Sequence, residues 1–385
     1  MKEYSVNKVY IAACIGLAMF GVAMLSLGAI LPPLIKEIPQ ATSLPQYMSI
    51  GIIIGTLIFG PTMDRFGYKS LLISGSAILL AGLTGLAIFS DMTNLIISII
   101  LVGLGGGILN GETNAIVSEI IEDPKKRGAK LSLLGACYCI GALLWTLLCT
   151  FISDYKIPLY GVAIFMIIYI LYLLSIKFPK GAKNNGEKIS MKKTFSLFTY
   201  GGLLFIAFVL FFQSGLEGIS GSYFPTFFVS SGVEINLATF SLTMFTIGML
   251  LGRLALSQLM NRFKDTIVLL IYLIIGLLGF VLITLQADVV SVIYTGMVLV
   301  GFGVGATYPV LLSHLGNAFR GMSGTAFSVA IFIALCGQYI FNFIGGKLFS
   351  SENWGLFPFV LISTLLIIIV LYPFAVKTID KTNFK

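Results

Sequence analysis

The sequence predicts an all-α membrane protein of twelve transmembrane helices, arranged as two pseudo-symmetric six-helix bundles. Three observations predict it. The 385 residues are 57% hydrophobic and only 10% charged, with a mean hydropathy of +1.00, well outside the range of soluble domains. Twelve apolar stretches are long enough to cross a bilayer core, which takes about 20 helical residues. The two halves also repeat each other in sequence.

Taken in order, the expected spans are 10–35, 44–63, 71–89, 95–121, 130–153, 158–176, 197–230, 237–260, 267–285, 289–312, 324–349 and 354–375. The first is too long for the apolar core of a signal peptide, and no small-residue cleavage site follows it, so it reads as a retained helix. Short loops join most spans. The exception is KFPKGAKNNGEKISMKK, 177–193, which is rich in Lys, Gly and Asn and has no apolar period. It divides the chain into an N-terminal bundle, 1–178, a linker, 179–193, and a C-terminal bundle, 194–385.

The repeat is gap-free. SIGIIIGTLIFGPTMDRFGYK (49–69) aligns on TIGMLLGRLALSQLMNRFKDT (246–266) at an offset of 197. LVGLGGG (101–107) aligns on LVGFGVG (299–305) at an offset of 198. Parallel repeats of this kind build transporters in which one half rocks against the other to give alternating access. Gly51 and Gly55, matched by Gly248 and Gly252, let helices approach closely; they suit either a rocking contact between halves or ordinary tight packing.

Charge sets orientation. With an even number of spans both termini share one side, and that side carries 20 Lys and Arg against 3 on the other. The positive-inside rule then predicts a multi-pass protein of the cytoplasmic (inner) membrane with both termini in the cytoplasm. The net charge of +8 is thus a topology signal, and no nucleic-acid partner is expected. The five cysteines lie within spans, Cys137 and Cys139 face different sides of a helix, and zinc binding is not expected. His314, at a span end, reads as structural. Gly103, Gly105 and Gly107 sit inside a span without the strand-turn-helix setting of a nucleotide site. No P-loop lysine or nucleophile triad is present, so neither ATP-driven transport nor an enzyme is expected, and no cofactor.

The loop after span two reads Gly60-Pro-Thr-Met-Asp64-Arg65-Phe-Gly67-Tyr-Lys69. Asp64 and Arg65 can pair and cap helix ends, and Gly67 permits a tight turn. The second copy is degenerate, with Asn261 in place of the acid, and keeps Arg262. This closely resembles the G-x-x-x-D-R-x-G-[RK]-[RK] loop of the major facilitator superfamily, with Tyr68 departing from the first basic position. The resemblance covers the whole chain. A narrower likeness joins GLEGISGSYFPTFF (215–228), GRLALSQLMNRF (252–263), LNGETNAI (109–116) and LLGACYCIGALL (133–144) to the fucose permease-type sugar:proton symporters. It implies functional acids at Glu112 in span four and Glu217 in span seven, and a Gly252-Arg253 pair in span eight. Two departures stand out: span one, FGVAMLSLGAIL over 20–31, lacks that family's acid, and Gly135 stands where many relatives have His.

The residues themselves point the same way. A charge in a bilayer core is costly, so Glu112 and Glu217 mark a substrate or ion path. Glu112, about 13 Å from the cytoplasmic end of its helix, reads as a proton carrier that also binds hydroxyls, or as a structural acid paired with a basic residue. Arg253, about 10 Å from that end, suits an ion pair across the halves in one state of the cycle, or a side chain snorkelling to the interface. Gln213, Glu217 and Ser220 share one helix face, flanked by Gly215, Gly218 and Gly221, a stretch able to unwind or bend. Asn110 with Asn114, on the face opposite Glu112, and Gln338 with Asn342 are further polar pairs, suited to a sugar or to interhelical bonding. Tyr138 and Trp145 share a face of span five, for stacking on a sugar ring or for packing; Tyr308 and Pro309 are lesser candidates.

The expectation is a secondary active transporter, working as a monomer, for a small polar solute, a sugar in first place. The coupling ion is H+, with Na+ as the alternative. Gly60, Asp64, Arg65, Gly67, Lys69, Arg253 and Arg262 are assigned to gating. An exporter of small organic molecules or drugs, and a non-transporting nutrient sensor, are the competing readings.

Overall fold

The computed structural model describes residues 4–121, 123–179, 200–260, 262–319 and 323–380, without the side chains at 60, 61, 64, 124–126, 128, 129, 132, 257, 317, 323–325 and 380. The expected linker, 179–193, lies outside the described residues apart from Pro179, and so do the side chain of Asp64, position 60 beyond its backbone, and Asn261.

Among the described residues twelve helical segments are long and apolar enough to span a membrane, and no strand occurs. They fall into two compact units, Met1–Asn184 and Asn185–Lys385. The first unit contains α1 (Val6–Glu37), α2 (Leu44–Ile88), α3 (Met92–Ile120), α4 (Pro124–Phe151) and α5 (Lys156–Ser175). The second contains α6 (Gly201–Ser230), α7 (Ile235–Leu259), α8 (Asp265–Leu285), α9 (Val290–Gly305), α10 (Thr307–Ala318), α11 (Ser323–Ser350) and α12 (Phe357–Asp380).

Helices and spans do not correspond one to one. Spans two and three follow each other without a gap as the two helices of α2, which meet at a kink at Gly67, whose φ of 77° and ψ of 166° are non-helical. Positive φ is open to glycine without steric cost. Span ten is instead broken in two, α9 and α10, at Ala306. Three residues on comes Pro309, which has no N–H to offer the carbonyl four residues back, Gly305.

In the first unit α2 packs along α3, and α1 lies on α4 and α3. In the second, α6 packs on α11 and α12, and α9 on α7 and α8. The repeated glycines make the equivalent contact in each unit. A Cβ on Gly51 or Gly55 would overlap the carbonyl of Ile100 or Leu104 in α3; one on Gly248 or Gly252 would meet that of Val298 or Phe302 in α9. These glycines therefore bring two helices of one unit together, the tight packing that their spacing allows. The same spacing serves either use, and here both helix backbones are already in contact.

Candidate functional site

Glu112 sits in the second half of α3 and is 0% exposed. Neither of its carboxylate oxygens has a hydrogen-bond partner among the described residues. Its neighbours on the helix turn elsewhere: the Thr113 hydroxyl donates to Leu109 O at 2.8 Å, and Asn114 Nδ2 donates to Asn110 O at 2.8 Å. Asn114 is exposed and Asn110 half-buried, so this pair does lie away from Glu112. In α4, Tyr138 is half-buried against Phe20, with ring centroids 5.6 Å apart. Trp145 is 0% exposed and its Nε1 donates to Leu25 O at 3.1 Å, so its ring is used to hold α4 against α1.

The second unit gathers more of the expected residues. Glu217 of α6 is close enough to Arg253 of α7 for their charges to interact, and Tyr308 of α10 lies in the field of the same carboxylate. Arg253 also donates from Nε to Gly305 O at 3.2 Å. Two further side chains serve the end of α9: Gln213 Nε2 donates to Val304 O at 2.9 Å, and Thr307 Oγ1 donates to Gly303 O at 3.4 Å. Three successive carbonyls at the break thus have side-chain donors. A helix end in a membrane demands this, because no water is there to replace the missing N–H groups.

Within its own unit Arg253 thus has both a carbonyl and a carboxylate beside it. It works inside its own unit, on a carbonyl that Pro309 cannot serve and beside an acid of the next helix. The glycines flanking Glu217, read as a stretch able to bend, lie within a continuous helix. The helix α6 runs unbroken from Gly201 to Ser230. Its glycines admit α11: a Cβ on Gly218 would lie 2.6 Å from Gln338 Cγ and 3.6 Å from Asn342 Nδ2, and one on Gly215 would strike Phe341. The stripe on α6 and the pair on α11 consequently form one polar seam. Gln338 is 4% exposed and its Nε2 has no partner among the described residues, nor do Gln213 Oε1, Ser220 Oγ and Thr226 Oγ1. Such buried, unmet polar atoms are expensive unless water or a solute supplies the missing bonds.

The loop motif divides into separate roles. Lys69 Nζ donates to Leu174 O and Ile176 O at 2.9 and 3.0 Å, a cation on the last carbonyls of α5. The guanidinium of Arg65 lies 5.2 Å from the Phe66 ring centre, and Arg262 is exposed. Thr307 and the target of Lys69 escaped sequence reasoning; Pro309 was the available signal for the break.

The sequence profile of the Major Facilitator Superfamily matches residues 10–337. An uncharacterized transporter of Buchnera aphidicola subsp. Schizaphis graminum is 26% identical over 83% of this chain and 77% of its own. Shorter stretches resemble a D-xylose transporter of Levilactobacillus brevis, 34% identical over 25% of this chain and 21% of its own, and the multidrug resistance protein MdtH of an Enterobacter species, 31% identical over 33% and 31%. Among solved structures, a mutant of the nucleoside transporter NupG superposes with a TM-score of 0.81 at 13% identity, covering 96% of this chain and 99% of its own. A D-xylose-proton symporter gives 0.79 at 16%, covering 96% and 98%. A variant of the Escherichia coli fucose:proton symporter FucP gives 0.67 at 18%, covering 95% and 98%. At these identities the structures establish the fold, and the family's members are transporters rather than enzymes.

Proposed function

The chain belongs to the major facilitator superfamily, and on that premise we propose that this integral membrane transporter moves a small polar solute, a sugar in first place, together with a proton by alternating access. The observation that carries the coupling is Glu112: an acid with no exposed surface and no partner on either oxygen. A carboxylate cannot stay charged in such a place without a counter-ion, so a proton must accompany it whenever the site is closed to water. The polar seam of α6 and α11, with Gln213, Gln338 and Asn342, offers donors and acceptors suited to hydroxyl groups. The sugar reading is also supported by the likeness to D-xylose and fucose transporters. The orientation we propose has both termini in the cytoplasm, from the distribution of basic residues, with the monomer as the working unit.

Proteoliposomes test this. An acid-outside gradient should drive uptake of a labelled pentose or hexose, and a protonophore should abolish it. The MdtH-like stretch favours a second reading, export of small organic molecules. Gradient-driven movement of a fluorescent drug, with no sugar transported, would establish that reading in place of the first. Impermeant thiol labelling at a cysteine introduced for Asn184, in a background without native cysteines, checks the orientation: reaction in intact cells would reverse it.

A further inference from the structure

Helices α1 and α4 lie parallel in tight register. Tyr10 OH donates to Lys130 O at 2.9 Å, and Trp145 Nε1 donates to Leu25 O at 3.1 Å, each joining residues 120 apart. Between these two ties the backbones touch. A Cβ on Gly141 would overlap the carbonyl of Ala18, and one on Gly21 would overlap that of Tyr138. Cys14 is one helical turn before Ala18, and Cys137 is one turn before Gly141. The register therefore brings the two cysteines to facing positions, with their side chains near enough to interact. Both thiols are free and half-buried. Tyr10 lies beside the Cys14 thiol, and the Lys130 ammonium, 4.5 Å from the Tyr10 ring centre, is near enough to Cys14 for their charges to interact. A positive charge beside a partly exposed thiol is the setting of reactive cysteines.

The other three cysteines lack this arrangement. Cys139 and Cys149 are buried on the same helix as Cys137, and Cys336 belongs to the second unit.

We propose that Cys14 and Cys137 form a redox-modification site, closed into an intramolecular disulfide by a peroxide. One sulfur attacks the peroxide O–O bond, taking up one oxygen as a sulfenic acid while the other oxygen leaves as water or an alcohol. The second sulfur then attacks the sulfenic sulfur; an S–S bond forms, the S–O bond breaks, and the hydroxyl leaves as water with the remaining thiol proton. Two thiols are oxidised and one peroxide is reduced. A disulfide requires Cα atoms about 4.4–6.8 Å apart, and the closeness it needs is provided by a backbone-to-backbone contact one turn away. The bond ties α1 to α4 within one unit, and a small thiol reverses it.

The test uses the full chain in lipid nanodiscs. After hydrogen peroxide, free thiols are alkylated and the protein is digested without reduction for mass spectrometry. The expected result is a fall from five free thiols per chain to three, and a peptide linking Cys14 to Cys137 that disappears with dithiothreitol. Phenylarsine oxide, which bridges paired thiols, should protect both cysteines from alkylation in the wild type and protect neither Cys14 in Cys137→Ser nor Cys137 in Cys14→Ser. Full alkylation of both cysteines after peroxide, or a cross-link joining two chains, would overturn the proposal. So would arsenical protection that persists in the single variants.

Discussion

Glu112 and Glu217 begin as the same signal, a carboxylic acid in a long apolar helix, and end in opposite settings. Glu112 has no partner on either oxygen among the described residues of the first unit. Glu217 shares its surroundings with a guanidinium and a phenol, Arg253 and Tyr308. The first acid is buried with nothing among the described residues to answer its charge. The second has a standing counter-charge, and that counter-charge is also holding a broken helix together through Gly305 O. Local sequence marks where a charge lies in the bilayer; whether another helix answers it is decided by tertiary packing.

The largest expected effect separates the two acids directly. Glu112→Gln keeps size and hydrogen bonding but cannot titrate. Solute counterflow should survive while gradient-driven accumulation falls at least about tenfold, a change equivalent to about 1.4 kcal/mol or more. Glu217→Gln should lose much less. Equal losses in the two variants, measured side by side in proteoliposomes, would erase the distinction.

Next in size is Arg253→Ala. It leaves Gly305 O without its side-chain donor and Glu217 without its counter-charge, and should cost on the order of 3 kcal/mol of stability. A lower thermal midpoint reports it. Because part of that cost is the abandoned acid, Glu217→Gln in the same chain should recover some of it. A double variant no more stable than Arg253→Ala alone would show that the two side chains are not coupled.

Smaller again is the effect of Pro309→Ala. The alanine N–H becomes available to Gly305 O, so Arg253→Ala should cost about 1 kcal/mol less in that background. An unchanged cost would assign the break to some other cause. The smallest effect belongs to Asn114→Ala. Its amide bonds its own helix, at Asn110 O, on an exposed face. Stability should move by no more than about 0.5 kcal/mol and accumulation by less than about twofold; a large loss of uptake would make this pair part of the first unit's machinery alongside Glu112.

Much of the architecture was legible in the chain because lipid imposes a simple rule. Any span must be apolar and about 20 residues long, so hydropathy located all twelve spans to within a few residues. The repeat was legible because the paired glycines do the same job twice, α2 on α3 and α7 on α9. What that job was could not be read from spacing, since close approach within a unit and between units calls for the same residues. Glu112 was legible as an acid inside an apolar span, which its own helix shows. The surroundings of Glu217 were not, because Arg253, Tyr308 and the carbonyls at 303–305 come from three other helices. The role of the glycines beside Glu217 was open for a related reason. Glycines near Glu217 suggested flexibility, but an absent side chain also makes room for a neighbour, and α11 fills that room. Pro309 carried the stronger physical warrant, a missing donor inside a span.

That missing donor bears on how the protein is made. If it arrived alone, the segment around residues 303–305 would enter lipid with Gly305 O lacking the N–H that Pro309 cannot give; Arg253 on α7 supplies a donor there, and Gln213 on α6 adds one to Val304 O. Synthesis proceeds from the N-terminus, so both donors have left the ribosome before the carbonyls that need them. Span ten is thus completed by helices already waiting in the membrane, and moving it ahead of them by circular permutation would deprive it of that reception.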